Sequence, residues 1–283
     1  MEAIYIDTPL SSLWFISLFT ILGAVVGSFL NVVIYRLPII MVRDVEPELK
    51  NDGDSSTAQQ DVFNCCLPSS HCPHCGHAIP WYLNIPLISW CLLRGRTHCC
   101  CVSIGLNYIL TEAATTLIFL VGVLLCSNLV SLVGMVFYFC ILLVLTQIDI
   151  KHKLLPDVLT LSLLWGGLIF SCTGYGISTE SAIIGAICGY LSLWFVYTLF
   201  LMLTKKEGLG RGDIKFMAAL GAWLGWQSIP EIILMSSSLC MIFTLLSTAR
   251  SRRGDRMIAF GPWIAVAGGV VIVKYYCNGV MIF

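Results

Sequence analysis

Charged residues are scarce in this chain of 283 residues: Asp, Glu, Lys and Arg make up 11% of it, whereas a soluble domain carries about 25%. The formal net charge is zero, because the sixteen acidic residues balance the sixteen basic ones. The low content of charged residues excludes an ordinary soluble domain, and the net charge of zero argues against a nucleic-acid partner. A mean hydropathy of +0.88 instead indicates a protein with many membrane segments.

The N-terminus lacks the cationic start of a cleavable signal peptide. It reads "MEAIYIDTPLSSLWF", and the apolar run that follows is long enough to span a bilayer. We therefore expect a retained first transmembrane helix.

Apolar runs recur along the whole chain and predict an all-α polytopic membrane protein with about eight transmembrane helices. The sixth run, "FMAALGAWLGW", is short and rich in Gly and Ala, so a buried or half-inserted helix is its alternative. The predicted spans are 12–35, 106–127, 129–148, 157–174, 180–204, 213–226, 231–249 and 258–276.

Basic residues predict the orientation, because cytoplasmic loops are enriched in Lys and Arg. Of the sixteen basic residues, only Lys274 falls near the outer side when the N-terminus is placed outside. The cytoplasmic segments would then be 36–105, 149–156, 205–212 and 250–257.

The only sizeable polar region follows the first span. Residues 44–61 are acidic and contain Gly, Pro and Ser, which predicts a flexible insertion. Residues 65–101 hold eight of the fourteen cysteines. We expect a first helix in residues 1–35, a cytoplasmic loop with a small cysteine-rich module in residues 36–105, and a membrane bundle in residues 106–283.

Two aspartates lie at the same predicted membrane boundary: Asp149 ends the third span, and Asp213 begins the sixth. An acid in a membrane segment is costly and indicates function. Two carboxylates held close together share a proton, and such a pair can activate water and polarise a carbonyl. As alternatives, Asp213 could be a helix N-cap, and Asp149 could pair with Lys151 or Lys153.

Glycines stand directly before Asp213 in "GLGRGDIK". Gly210 and Gly212 allow a sharp turn into a helix and a close approach of a substrate backbone. Asp157 follows "LLP" and is more readily explained as the N-cap of the fourth helix than as a catalyst.

The first span carries Gly23 and Gly27, four residues apart, which predicts close packing against another helix. Asn31 lies near the inner end of this span, and we expect it to bond to another helix.

Four motifs resemble those of the type IV prepilin peptidases, which are bacterial intramembrane aspartic proteases of the GxGD class. The resemblance runs nearly the whole length of the chain, in the family's order. The motifs are "GSFLNVVIYRLP" at 27–38, "HCPHCGHAIPWYLNIPLISWCLLRGR" at 71–96, the stretch "DIKHKLLPDVLT" that begins at Asp149, and "GRGDIKFMAALGAWLGW" at 210–226.

The resemblance implies a bifunctional enzyme of the bacterial inner membrane, with Asp149 and Asp213 as its catalytic pair. Such enzymes cut the short basic leader from type IV prepilins or type II secretion pseudopilins at the cytoplasmic face, usually after a glycine. Many then methylate the new N-terminus with S-adenosylmethionine. Arg94, Gly95 and Arg96 lie in the methylation-linked region and could admit the cofactor's carboxylate, or could form an ordinary tight turn. The chain lacks a Rossmann glycine fingerprint.

Cys72 and Cys75 form a Cys-x2-Cys knuckle, which needs a partner pair to complete a zinc site. Cytoplasmic placement makes structural disulfides improbable. Reduced, buried or palmitoylated cysteines are the alternative.

The family's partner pair follows the "RGR" stretch, and this sequence departs from it there. Thr97 stands where the first cysteine belongs, and Cys100 matches the second. We expect Cys100 to bind zinc with the knuckle. His98 is the first choice for the fourth ligand, with Cys99 and Cys101 as rivals.

Two other classes of function remain open. The aspartates could relay protons or ions in a transporter, although a relay places its acids at mid-membrane. The chain could also be a non-catalytic subunit of a secretion or pilus assembly, which would tolerate changes of both aspartates.

Overall fold

The computed structural model describes residues 13–49, 75, 99–100, 102, 105–206, 208–250 and 259–277. Regular structure within these ranges is entirely helical, which confirms the predicted class. The helices are α1 (Leu13–Leu49), α2 (Leu106–Leu125), α3 (Leu129–His152), α4 (Asp157–Cys172), α5 (Thr179–Thr204), α6 (Arg211–Leu224), α7 (Ile229–Arg250) and α8 (Gly261–Cys277), with a 3₁₀ turn at Trp226–Ser228. Each predicted span overlaps one of these helices.

The chain divides into two compact units, residues 1–125 and 126–283. In the first unit α1 packs along α2 through its glycines. A Cβ at Gly23 would lie 2.9 Å from Phe119 Cβ, and a Cβ at Gly27 would collide with Thr115 Oγ1. Asn31 Nδ2 donates to the Tyr108 carbonyl at 3.0 Å. Both sequence predictions for α1, close glycine packing and a helix-to-helix bond, are therefore confirmed.

Helix α1 is longer than the span predicted for residues 12–35. Its 37 residues correspond to about 56 Å, whereas the hydrocarbon core of a bilayer is about 30 Å thick. The expectation of a flexible segment at 44–61 is wrong for residues 44–49, which belong to α1. Extending an existing helix avoids the cost of nucleation, and two of these residues are Glu, a good helix former, although Pro47 opposes the extension. Residues 50–61 lie outside the described ranges.

Helix α6 is the buried centre of the second unit and packs against α4, α5 and α8. The side chains of Phe216, Met217 and Leu220 are completely buried. Backbones approach closely on the α5 side, because a Cβ at Gly185 would collide with the Gly221 carbonyl and a Cβ at Gly221 would collide with the Gly185 carbonyl. On the α4 side, Trp223 Nε1 donates to the carbonyl of Leu163 at 2.8 Å.

The length of α6 explains its burial. Its 14 residues reach about 21 Å, which is too short for a bilayer core of about 30 Å. The buried-helix alternative therefore describes residues 213–226. Five helical segments in the described ranges are long and apolar enough to cross a membrane, namely Leu13–Arg43, Leu106–Leu125, Leu129–His152, Thr179–Thr204 and Trp226–Ser247. The protein is a multi-pass membrane protein.

Candidate active site

Asp149 lies in the last turn of α3, where the chain leaves the helix. Lys153 ends this helix in the left-handed conformation, with φ of 54°, and its N–H donates to the Asp149 carbonyl at 2.9 Å. The Asp149 side chain turns inward, and the residue is only 5% exposed. Because a buried carboxylate is costly unless it is hydrogen-bonded, we expect groups from other helices to bond to Asp149.

Asp213 lies in the first turn of α6. Gly210, not Asp213, is the N-cap residue, and the N–H of Asp213 donates to the Gly210 carbonyl at 3.1 Å. Asp213 is 7% exposed, and its Oδ1 atom has no hydrogen-bond partner within the described part of the chain. The N-cap alternative therefore does not account for this carboxylate, which is buried with an oxygen still available.

The first residue of α8 holds Asp149 in place. The N–H of Gly261 donates to Asp149 Oδ2 at 2.9 Å. The glycine is required by space, because a Cβ there would lie 2.6 Å from the same oxygen. Helix N-termini favour negative charge, so the start of α8 both orients and stabilises the Asp149 carboxylate.

Sequence reasoning missed Gly261. The available signal was "FGPW" at residues 260–263, a glycine followed by proline at the start of an apolar run. That pattern marks a helix N-terminus. It carries no charged or nucleophilic group, however, so nothing in it pointed to an acid 112 residues earlier in the chain.

The structure brings the two predicted aspartates together. Asp149 and Asp213 are near enough for the charge of one to influence the other across the gap between α3 and α6. Leu155, in the connection between α3 and α4, lies against Gly212, which precedes Asp213, and against Gly261, which binds Asp149. A Cβ at Gly212 would lie 2.7 Å from Leu155 Cβ, and one at Gly261 would lie 3.3 Å from Leu155 Cδ2.

This arrangement has a defined chemistry. Two carboxylates held close together in a water-poor site cannot both ionise cheaply, so such a pair shares one proton. The ionised member can accept a proton from water, and the protonated member can donate a hydrogen bond to a carbonyl oxygen. Such a pair is suited to the hydrolysis of an amide bond without a covalent intermediate.

Asp157 has a different role from the one expected. Pro156 occupies the N-cap position of α4, because its extended backbone (φ −60°, ψ 127°) ends the preceding connection, and Asp157 is the first helical residue. The Asp157 carboxylate instead accepts a hydrogen bond from Lys215 Nζ at 2.7 Å. Both side chains are substantially exposed, so this ion pair joins α4 to α6 at the surface.

Part of the predicted metal site is described. Cys75, Cys99 and Cys100 bring their sulfur atoms within 4.8 Å of one another. Cys75 and Cys100 were predicted ligands, and Cys99 was a rival for the fourth position. The other predicted ligands, Cys72 and His98, lie outside the described residues, as do Arg94, Gly95 and Arg96 of the proposed cofactor site.

Comparison with known proteins identifies the family. Residues 136–245 match the Type IV leader peptidase family, and residues 21–126 match the Bacterial Peptidase A24 N-terminal domain. A prepilin leader peptidase/N-methyltransferase of Pectobacterium carotovorum subsp. carotovorum is 46% identical over 257 residues, which cover 90% of this chain and 91% of that protein. The chain belongs to the type IV leader peptidase family.

Other members of the type IV leader peptidase family are similar along most of their length. A prepilin leader peptidase/N-methyltransferase of Dickeya chrysanthemi is 42% identical over 281 residues, which cover 99% of both chains. One from Aeromonas hydrophila is 42% identical over 263 residues, covering 92% of this chain and 90% of its own. No solved structure matches this chain.

The two family matches divide the site residues predicted from the sequence between them. Asp149 and Asp213 both fall within residues 136–245, the type IV leader peptidase match. The cysteine-rich module falls within the N-terminal match. Gly261 lies beyond the end of the peptidase match, although it binds one of the two acids.

Proposed function

We propose that this protein is an aspartic endopeptidase that removes the leader peptide from type IV prepilins or pseudopilins. The observation that carries the proposal is the pair of buried carboxylates, Asp149 and Asp213, brought together from separate helices. Membership of the type IV leader peptidase family supports the choice of substrate. Both acids lie in terminal helical turns, where a peptide can reach them more easily than at the middle of a membrane helix.

The proposed mechanism uses the pair as a unit. The ionised carboxylate takes a proton from water, while the protonated one donates a hydrogen bond to the carbonyl of the scissile bond. Water attacks that carbonyl to give a tetrahedral intermediate. The amide then breaks as the carboxyl that took the proton from water passes a proton to the leaving amine, so no covalent enzyme intermediate forms. The N–H of Gly261 keeps the Asp149 carboxylate oriented through this cycle.

We also propose that the enzyme methylates the new N-terminus. S-adenosylmethionine would supply the methyl group, and Arg94, Gly95 and Arg96 are the residues proposed to bind its carboxylate. This assignment is supported by the sequence motif and by the names of the relatives, which include N-methyltransferase.

The test of both activities is incubation of the purified protein with a candidate prepilin, with and without S-adenosylmethionine, followed by mass measurement. The product should lose its leader in both reactions and gain one methyl group only with the methyl donor. An intact precursor under all conditions would reject the peptidase proposal. A shortened but unmethylated product would reject the second activity alone.

We propose that the protein lies in the bacterial inner membrane with its aspartates facing the cytoplasm. The distribution of basic residues supports this orientation. Single cysteines introduced at Lys206 or Arg252, in a variant without its native cysteines, should resist an impermeant thiol reagent in intact cells and react after permeabilisation. Strong labelling of intact cells at either position would overturn the orientation.

We propose that the cysteine-rich module binds one structural zinc ion. Thiolates on a tetrahedral zinc ion lie about 3.8 Å apart, given a Zn–S bond of about 2.3 Å. The sulfur atoms of Cys99 and Cys100 are 3.8 Å apart, and those of Cys75 and Cys99 are 3.3 Å apart. The Cys99–Cys100 separation matches this value and the Cys75–Cys99 separation is shorter, so the three sulfur atoms are close enough to share one metal ion.

Purified wild-type protein should contain zinc when it is prepared anaerobically without chelators. We expect Cys72→Ser, Cys75→Ser and Cys100→Ser each to lose most of it, because a structural site needs its full set of ligands. His98→Ala and Cys99→Ser, compared side by side, identify the fourth ligand. Cys188→Ser is the control, since Cys188 is an exposed cysteine on α5. Metal-free wild type would reject the site.

A further inference from the structure

The connection between α3 and α4 passes directly beside the two aspartates. It comprises residues 153–156, and Leu155 is its half-buried member. Leu155 packs against Gly212, the residue before Asp213, and against Gly261, the residue that binds Asp149. One apolar side chain therefore borders both halves of the proposed active site.

Contacts at both ends of the connection fix its position. At one end the left-handed Lys153 donates its N–H to the Asp149 carbonyl. At the other end Pro156 is buried and is the N-cap residue of α4. The ion pair between Asp157 and Lys215 then ties the start of α4 to α6, two residues beyond Asp213. Leu155 therefore lies between two residues whose backbone positions are set by contacts with other parts of the second unit.

The surfaces next to the carboxylates differ in bulk. Three glycines, Gly210, Gly212 and Gly261, present only backbone atoms there. The space that a Cβ would occupy at each of them is taken by an aspartate oxygen or by Leu155. Beside these glycines, Leu155 contributes a branched side chain, and it is partly exposed. A peptide bond placed at the carboxylates would bring one of its flanking side chains against Leu155.

We propose that Leu155 is a specificity-determining residue, which limits the size of one of the two substrate side chains next to the scissile bond. The proposal rests on the peptidase function above and deepens it. A methylene in an apolar pocket typically changes discrimination by about 10-fold to 200-fold. Removing most of the leucine side chain should therefore relax selection against bulk at one flanking position.

The experiment measures kcat/KM for two series of precursors. One series carries Gly, Ala or Val immediately before the cleaved bond, and the other carries them immediately after it. The quantity compared is the ratio of Val to Gly within one enzyme preparation, which does not depend on the fraction of folded enzyme. In Leu155→Ala this ratio should rise at least about 10-fold in one series, and Leu155→Met should stay close to wild type.

Leu154→Ala is the matched control, because Leu154 is the adjacent leucine of the same connection and is 44% exposed. It should leave both ratios unchanged. If Leu155→Ala does not fold, Leu155→Val and Leu155→Phe replace it, with opposite expected shifts. Unchanged ratios in both series would overturn the role of Leu155 and leave the peptidase intact. A wild-type enzyme that cleaves no precursor would reject the peptidase function itself.

Discussion

Asp149→Asn and Asp213→Asn should each abolish leader cleavage while leaving the protein folded and inserted in the membrane. Asparagine keeps the shape of the side chain and removes the charge that shares the proton. Loss of one member of a catalytic unit lowers kcat by about 10⁴-fold or more, and losing both adds little. The double variant should therefore be scarcely slower than either single one. Rates of precursor processing by purified enzyme measure this effect.

Asp157→Asn is the control for the dyad. It makes the same chemical change at a carboxylate near the site, one that forms an exposed pair with Lys215. Such pairs contribute about 0–1 kcal/mol, so processing should continue at a rate within several-fold of wild type. Normal processing by a well-expressed Asp149 or Asp213 variant would instead show that cleavage does not depend on this pair of acids.

Gly261→Ala should reduce cleavage by about 100-fold, because a misplacement of about 1 Å at a catalytic group has a cost of this order. The added Cβ would lie 2.6 Å from Asp149 Oδ2 and 3.2 Å from its carboxyl carbon. The carboxylate must therefore shift away from the position in which the helix N-terminus holds it. Steady-state processing rates, with thermal unfolding measured in parallel, separate this effect from a loss of fold.

Gly269→Ala provides the comparison within the same helix. A Cβ at Gly269 would meet Phe139 at 3.5 Å, an ordinary van der Waals distance. Alanine is also the better helix former by about 1 kcal/mol, so this variant should keep its activity and its stability. Full activity in Gly261→Ala would show that the backbone bond to Asp149 is dispensable.

Much of the fold could be predicted because hydropathy reports directly on membrane helices. The run at 129–148 and the helix Leu129–His152 begin at the same residue. The end of α1 could not be found in this way, because three acidic residues interrupt the apolar run at 44–49 and their helix is an extension of the preceding turns. Hydropathy also cannot distinguish a short buried helix from a membrane span. The sequence of α6 is therefore compatible with both, and only its packing shows that it is a buried helix.

The candidate site could be predicted only where it carries charge. Asp149 and Asp213 attract notice because acids are costly in a membrane segment. Gly261 and Leu155 contribute a backbone N–H and a packed side chain, and such contributions depend on three-dimensional proximity alone. Asp157 illustrates the reverse case, since its place before an apolar run suggested a cap while its actual partner, Lys215, lies 58 residues away.

The bond between Asp149 and Gly261 also bears on how the protein is made. Its two residues lie 112 positions apart, with Asp213 between them, and the donor belongs to α8. A nascent chain therefore contains both acids well before the ribosome has added the group that orients the first of them. A chain that has been synthesised only as far as residue 260 therefore holds both acids without the backbone donor that orients Asp149.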